Sequence, residues 1–260
     1  MVSKVSPASL LYYYGNKHSQ CGQDGILAEI FRRINIQNGV FIEFGAWDGI
    51  HLSNCRYLYE KGWNGLFIEA DKEKFKSLQA TYSSDAGISL ANAMVGAPSR
   101  GVAGHTLIDI LHQGKIDPNI ISFVSIDVDG VDLEIFQEMG FSPPVVLIEG
   151  GFNFSPHLTQ AIPSTAAWNN LQQPLAVIVN TAKEIGYTPV CYFQDTYFVR
   201  TDLVKDYGMD TLSLYSDAWN FAPIALRNYL LRLRAEHPLI KAFEELCFGR
   251  FSPNPLESHK

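Results

Sequence analysis

Short apolar runs that alternate with helical segments are the feature of this sequence that most restricts its fold. Residues 40–44, 65–68, 121–126 and 145–148 are apolar runs too short for a core helix, and an acidic residue or a glycine follows each of them. Such runs are typical of strands in a parallel sheet, because helices cover both faces of that sheet. Residues 88–95, 188–193 and 196–200 complete seven strands, the last two as an antiparallel pair.

The segments between the runs have helical patterns. Apolar side chains recur at helical spacing, or a polar-apolar pattern is present, at residues 22–34, 52–61, 72–82, 106–111, 131–139 and 170–185. Strands alternating with helices predict an α/β fold, Rossmann-like, with a mostly parallel seven-stranded sheet and helices on both faces.

The chain is expected to form one structural domain with three parts. An N-terminal helical segment covers residues 1–34, and the ligand-binding core covers residues 35–205. A helical extension covers residues 206–260, with amphipathic patterns at 226–233 and 240–247. It is expected to cap the sheet, to act as a lid over the substrate, or to form a homodimer contact.

Charge and composition exclude several classes of protein. The chain has 20 Lys and Arg against 27 Asp and Glu, a net charge of −7, which gives no positive field for nucleic acid. No apolar stretch approaches the roughly 20 residues that cross a bilayer. The four cysteines form no C-x-x-C pair, and no signal-peptide core precedes the first helix. We therefore expect a cytoplasmic protein without nucleic-acid or membrane partners.

The loop after the first strand is the first candidate ligand site. In open α/β sheets, ligands bind beyond the carboxyl ends of the strands. Residues 43–49 read Glu-Phe-Gly-Ala-Trp-Asp-Gly, so glycines stand at both ends of a sharp turn. Trp47 occupies the place of the middle glycine of a dinucleotide loop. A nicotinamide-dependent oxidoreductase is an alternative that this departure disfavours.

Glu69 ends the next strand, 26 positions after Glu43. An acidic residue at this place binds both hydroxyls of a ribose in nucleotide-binding folds. Because the loop lacks the full pyrophosphate-binding pattern, an adenosine ligand with a charged amino-acid tail fits better than a dinucleotide.

Asp127-Val128-Asp129-Gly130 follows another strand and has two interpretations. Its carboxylates, with Glu149 and Asn153 nearby in the predicted sheet, have the oxygen donors that a divalent cation such as Mg²⁺ prefers. Without a metal, the two aspartates would orient a cofactor and the loop. The same tetrad also opens haloacid-dehalogenase-type phosphatases, with Asp127 as nucleophile, although there it usually follows the first strand.

Several motifs together resemble the FkbM-type family of S-adenosylmethionine-dependent methyltransferases, which has the class I, Rossmann-like fold. The resemblance covers residues 18 to about 205. It rests on the order and spacing of Ser19-Gln20-Cys21-Gly22-Gln23-Asp24, Phe41-Ile42-Glu43-Phe44-Gly45-Ala46, Phe67-Ile68-Glu69, Asn92-Ala93, Thr106-Leu107-Ile108-Asp109, Ser125-Ile126-Asp127-Val128-Asp129-Gly130, Val146-Leu147-Ile148-Glu149, Gly186-Tyr187 and Phe198-Val199-Arg200.

The resemblance implies a cofactor and a set of residues that hold it. Glu43, Gly45 and Gly49 would hold its methionine part and Glu69 its ribose, with Asn92 and Ala93 near the adenine. The predicted cofactor site is completed by Gln20, Ala46, Asp48, Ala70 and Asp127. Departures from the family are Trp47 for Asn, Ser125 for Lys and Asp129 for Glu.

We predict an O-methyltransferase that acts on a hydroxyl of a small molecule, a sugar or a natural product. Deprotonation of that hydroxyl needs a base. His157, together with Asp127, is the candidate catalytic group, and a divalent cation on Asp127, Asp129, Glu149 and Asn153 is the alternative. A module that binds adenosine ligands without catalysis is a further alternative.

Overall fold

A computed structural model of the chain describes residues 9–128, 130–151, 154–155, 158–162, 172–210, 213–219 and 221. The chain separates into two compact units. One is Val5–Ala218, and the other consists of Met1–Lys4 with Trp219–Lys260. The amphipathic patterns predicted at 226–233 and 240–247 lie outside the described residues, so the predicted lid or dimer contact stays a prediction.

One seven-stranded sheet organises the larger unit. Its strands are β1 (Val40–Phe44), β2 (Asn64–Ile68), β3 (Ile88–Ala91), β4 (Ile121–Ile126), β5 (Val145–Glu149), β6 (Tyr187–Phe193) and β7 (Asp195–Arg200). Their order is β3-β2-β1-β4-β5-β7-β6. β1 to β5 run parallel to one another, and β7 is antiparallel to both β5 and β6. This is the sheet of the Rossmann-like methyltransferase fold, so the predicted fold class is confirmed.

Helices cover both faces of this sheet. They are α1 (Gln23–Arg33), α2 (Arg56–Glu60), α3 (Lys72–Tyr82), α4 (Leu107–Gly114), α5 (Asp132–Gln137) and α6 (Leu175–Glu184). The connections through α2 and α3 progress outward from β1 to β3, whereas those through α4 to α6 progress in the opposite direction, from β3 across the sheet to β4, β5 and β6. Because such crossovers are right-handed, the two groups lie on opposite faces, and the direction changes between β1 and β4.

The side chains of β1 alternate between two cores. Ile42 and Phe44 belong to the cluster that includes the buried side chains of α4, α5 and α6. Phe41 points to the other face, where its ring lies 5.1 Å from that of Phe67 and the Phe67 ring lies 4.9 Å from that of Tyr82. Burial of both faces explains why the strands read as uninterrupted apolar runs.

Several predicted boundaries were wrong, among them the start of the helix predicted at 170–185, which begins at Leu175. Two others have local reasons. The helix predicted at 52–61 begins at Arg56, because the preceding residues are held by a buried side chain described below. The strand predicted at 88–95 ends at Ala91. There the chain leaves the sheet, and Val95 forms an isolated bridge with His105 instead. In the described part of the chain, no helix is long and apolar enough to span a bilayer.

Candidate functional site

The loop after β1 bends sharply over the carboxyl edge of the sheet. Gly45 and Gly49 have φ angles of 71° and 70°, where side chains are disfavoured. A Cβ atom at Gly45 would lie 3.0 Å from the backbone oxygen of Asp127. At Gly49 it would lie 2.4 Å from Cε2 of Tyr82, whose hydroxyl donates to the Gly49 carbonyl. Glycine at both positions thus lets the loop approach β4 on one side and α3 on the other.

Ala46 and Asp48 hold the shape of this loop. The N–H of Ala46 donates to the carbonyl of Ile68, at the end of β2, over 3.2 Å. The Oδ1 atom of Asp48 accepts from the N–H groups of Ile50 at 2.9 Å and His51 at 2.8 Å. The carboxylate of Asp48 therefore caps the turn that follows it, and its predicted cofactor contact stays a prediction.

Glu43 is buried, and its carboxyl group accepts three hydrogen bonds from the segment that precedes α2. Its carboxyl oxygens accept from the hydroxyl of Ser53 at 2.6 Å and from the N–H groups of Asn54 at 2.8 Å and Cys55 at 3.3 Å. Burial raises its pKa to about 7, the three donors act to lower it, and the charge of Asp127 raises it. Glu43 thus fixes the segment before α2, which is why that helix starts later than predicted.

Glu69 lies buried at the end of β2 and connects three strands. Its Oε2 atom accepts from the N–H of Trp47 and its Oε1 atom from the N–H of Asp71, both at 2.8 Å. Asn92, after β3, donates its Nδ2 to the carbonyls of Glu69 at 2.7 Å and Ala70 at 3.2 Å. The residues predicted to bind adenosine are therefore joined by hydrogen bonds across β1, β2 and β3. Ala93 follows, partly buried against the core.

The segment before α1 lies against the same edge. Asp24 Oδ2 accepts from the three backbone N–H groups of residues 17–19 over 2.6 to 3.0 Å. Ser19 forms an isolated bridge with Leu52, in the segment that follows the glycine loop. Gln20, a predicted cofactor residue, is exposed on this segment.

Three carboxyl groups stand side by side at the carboxyl edge, one after β4, one at the end of β5 and one at the start of β7, and we call them the acid row. Ile126 of β4 pairs with Ile148 of β5, so the following residues, Asp127 and Glu149, are neighbours. Glu149 pairs in turn with Asp195, the first residue of β7. Exposure decreases along the row, from exposed Asp127 through half-buried Glu149 to buried Asp195.

The pKa values of two members of the acid row, Glu149 and Asp195, are raised. Burial, followed by the charges of Asp127, Asp132 and Asp195, raises the pKa of Glu149 to about 9, so this carboxyl is protonated at neutral pH. Burial and then Asp127 raise the pKa of Asp195 well above its usual value. A hydrogen bond of 2.6 Å from Gln23 Nε2 to Asp195 Oδ2 opposes that rise.

Four residues of this region were missed by the sequence interpretation: Gln23, Asp132, Gln172 and Asp195. Asp132 accepts from the N–H groups of Val128 at 2.8 Å and Gly130 at 2.9 Å. Burial raises its pKa to about 7. Gln172 donates to Glu149 over 2.6 Å. Asp195 had a usable signal, because the start of an antiparallel strand lies at the edge where parallel strands end.

Three predicted site residues are not among the described residues. Asp129, Asn153 and His157 lie outside the described residues, so the base His157 and half of the predicted metal ligands stay predictions. Within the described ranges, no group of three or more His, Cys, Asp and Glu side chains is arranged to hold a metal ion. The segment that suggested a phosphatase follows β4, in the middle of the sheet, rather than the first strand.

Comparisons with known proteins add little to this geometry. No protein-family model matches the chain, so the FkbM-type assignment stays a prediction, and no curated protein matches it. Among solved structures, the crystal structure of selenomethionine-substituted CurJ carbon methyltransferase aligns with a TM-score of 0.41 and 10% identity. The alignment covers 68% of this chain and 52% of that one, so the matched part spans about half of that structure.

Proposed function

We propose that the chain is an S-adenosylmethionine-dependent methyltransferase that acts on a hydroxyl oxygen of a small molecule, a sugar or a natural product. The observation that carries the proposal is the hydrogen-bonded connection from the glycine loop through Glu69 to Asn92. It puts a carboxylate and an amide at the ends of β2 and β3 and bonds them to the loop after β1, which borders the point where the sheet changes direction. Nucleoside ligands of open α/β sheets bind in this place.

The chemistry of Glu69 fits a ribose. An ionised carboxylate has about four lone-pair positions. The N–H groups of Trp47 and Asp71 occupy one position on each oxygen. Each oxygen therefore retains a position for one of the two ribose hydroxyls, while the backbone donors hold the carboxylate in place.

The loop from Gly45 to Gly49 fits the amino-acid end of the same ligand. Gly45 is exposed, and its missing side chain leaves the loop close to β4. S-adenosylmethionine supplies an electrophilic methyl group on a positively charged sulfur. Asp127, across the change of direction from Gly45, favours such a cation at the start of the acid row.

The second part of the proposal concerns the hydroxyl that accepts the methyl group, and it involves the acid row and His157. A hydroxyl must lose its proton to attack, and most of the rate comes from holding its oxygen close to the methyl carbon and in line with it. His157 is the proposed base. Asp127, Asp129, Glu149 and Asn153 are the residues that would hold a divalent cation, which lowers the pKa of a bound hydroxyl.

Calorimetry with S-adenosylmethionine and S-adenosylhomocysteine tests the proposal. We expect both to bind, and NAD to bind far more weakly because the loop has Trp47 in place of a middle glycine. No heat at millimolar S-adenosylhomocysteine would overturn the proposal. Release of phosphate from a generic ester, dependent on Asp127 and magnesium, would favour the phosphatase instead.

The acceptor part has its own test. With an identified acceptor, methyl transfer that survives a chelator removes the cation from the proposal, whereas transfer lost with the chelator and restored by Mg²⁺ supports it. Binding of the cofactor without transfer to any hydroxyl compound in a broad panel would favour a non-catalytic adenosine-binding module.

A further inference from the structure

Trp47 combines a strained backbone with an exposed aromatic ring. Its φ angle is 48°, in the left-handed region that bulky side chains rarely adopt. Its side chain is nevertheless not buried, since 44% of the residue is exposed. Strained residues that persist in a well-packed structure are often functional, and packing in the core does not explain this one.

The position of the indole is set by its neighbours. The N–H of Trp47 donates to Glu69, so the ring projects from a residue bonded directly to the proposed ribose ligand. The ammonium of Lys74 lies over the indole, 5.2 Å from the ring centroid. The His51 ring stands edge-on to it, with 5.2 Å between centroids and 76° between planes. One face of the indole is thus covered by a cation.

The apolar surface around Trp47 is concentrated at the ligand-binding edge. Eight large apolar side chains are exposed in the part of the chain that the structure describes. Trp47, Ile50 and Leu52 follow β1, and Met94 follows β3, so half of the eight lie on loops beyond the strands joined through Glu69. Exposed apolar side chains gathered at one place are typical of a binding surface.

We propose that Trp47 stacks on the adenine ring of the bound nucleoside and positions it against Glu69. This inference rests on the proposed function and adds a positioning residue to it. The indole face opposite Lys74 would meet the base, since every nucleobase has a π-face that stacks on aromatic side chains. Asn92, bonded to the backbone of Glu69, lies on the β3 side of the same ligand.

The test compares Trp47→Ala and Trp47→Phe with the wild-type chain, using calorimetry with S-adenosylhomocysteine and with adenosine. For Trp47→Ala we expect the Kd for both ligands to rise about 10-fold, which corresponds to about 1.4 kcal/mol. Trp47→Phe retains an aromatic face and should stay close to the wild type. Ile120→Ala, an exposed apolar residue preceding β4 at the opposite edge, is the matched control and should change neither Kd.

Tryptophan fluorescence supplies a second readout. S-adenosylhomocysteine should quench the emission of the wild type, and this quenching should be lost in Trp47→Phe although the ligand still binds. An unchanged Kd in Trp47→Ala, or undiminished quenching in Trp47→Phe, would overturn the inference and leave the proposed function intact. A rise in the acceptor KM alone would also overturn it, because the indole would then face the acceptor. A wild type that binds neither ligand would overturn both proposals.

Discussion

The two halves of the carboxyl edge use the same residue type in opposite ways. Beyond β1 and β2, Glu43 and Glu69 accept hydrogen bonds from backbone N–H groups of the loops around them. Beyond β4, β5 and β7, the carboxyl groups of the acid row stand next to one another. We call Glu43 and Glu69, together with the loops that donate to them, the loop-binding half of the edge. It is built to hold loops in a fixed shape, whereas the acid row is built to hold protons or a positive charge.

The pKa values express this difference. Burial is the main cause that raises the pKa of Glu43 to about 7 and the pKa of Glu149 to about 9. For Glu43 the next contributions are three hydrogen-bond donors, which lower the pKa. For Glu149 they are three further carboxylates, which raise it. The neighbours of such a carboxyl group therefore decide whether it holds a loop in place or retains a proton.

The largest expected effect is on the stability of the loop-binding half. Glu43→Ala leaves the donors at Ser53, Asn54 and Cys55 without their acceptor, which should lower the free energy of unfolding by about 3 kcal/mol. Urea denaturation measures this. Glu73→Ala, at an exposed acid of α3, should change it by less than about 0.5 kcal/mol. A loss below about 1 kcal/mol for Glu43→Ala would mean that this carboxyl is not an anchor.

The next effect is on ligand binding in the loop-binding half. Glu69→Gln replaces one acceptor oxygen by a donor facing the ribose, so the Kd for S-adenosylhomocysteine should rise about 10-fold or more. Calorimetry measures it, and a thermal melt of the variant shows whether the loop is intact. Glu73→Gln removes the same charge nearby and should bind normally. Equal affinities of Glu69→Gln and wild type would reject the ribose role.

The smallest effect is on the pH dependence produced by the acid row. Folding raises the pKa of Glu149 from 4.5 to about 9. Between these values the folded state binds a proton that the unfolded state releases, so the contribution of Glu149 to stability is fully present at low pH and is lost as the pH rises towards 9. Glu149→Gln should make this decrease shallower by less than about 1 kcal/mol per pH unit, since partial exposure screens the group.

Urea denaturation between about pH 6 and pH 8, in a chelating buffer, would measure that slope. Glu73→Gln serves as the control with an unchanged slope. If Glu149→Gln and wild type lose stability at the same rate, Glu149 is ionised across this range and the contrast between the two halves disappears.

Much of the edge was predictable from the sequence, for a physical reason. Glu43 stands next to the end of an apolar run, Glu69, Asp127 and Glu149 each follow one, and the ends of parallel strands meet at one edge. The residues that pair with them were harder to identify. Gln23 reaches Asp195 across 172 positions of sequence, and only the strand order brings them together.

The role of Glu43 also depended on contacts that spacing does not reveal. The resemblance implied a cofactor contact, which stays a prediction, and the hydrogen bonds that the structure shows go to Ser53, Asn54 and Cys55. Those bonds also delay the start of α2, so the misplaced helix boundary and the unforeseen anchor have one cause. The exposure of Trp47 was likewise not predictable from the sequence, because it depends on which side chains of other elements pack against the loop.

A crystal structure of the chain with S-adenosylhomocysteine tests the central claim most directly. We predict that the nucleoside lies beyond β1, β2 and β3, with both ribose hydroxyls within hydrogen-bonding distance of the Glu69 carboxylate, and with the sulfur toward Asp127. A nucleoside bound over the acid row, with Glu69 contacting only the N–H groups of Trp47 and Asp71, would contradict it.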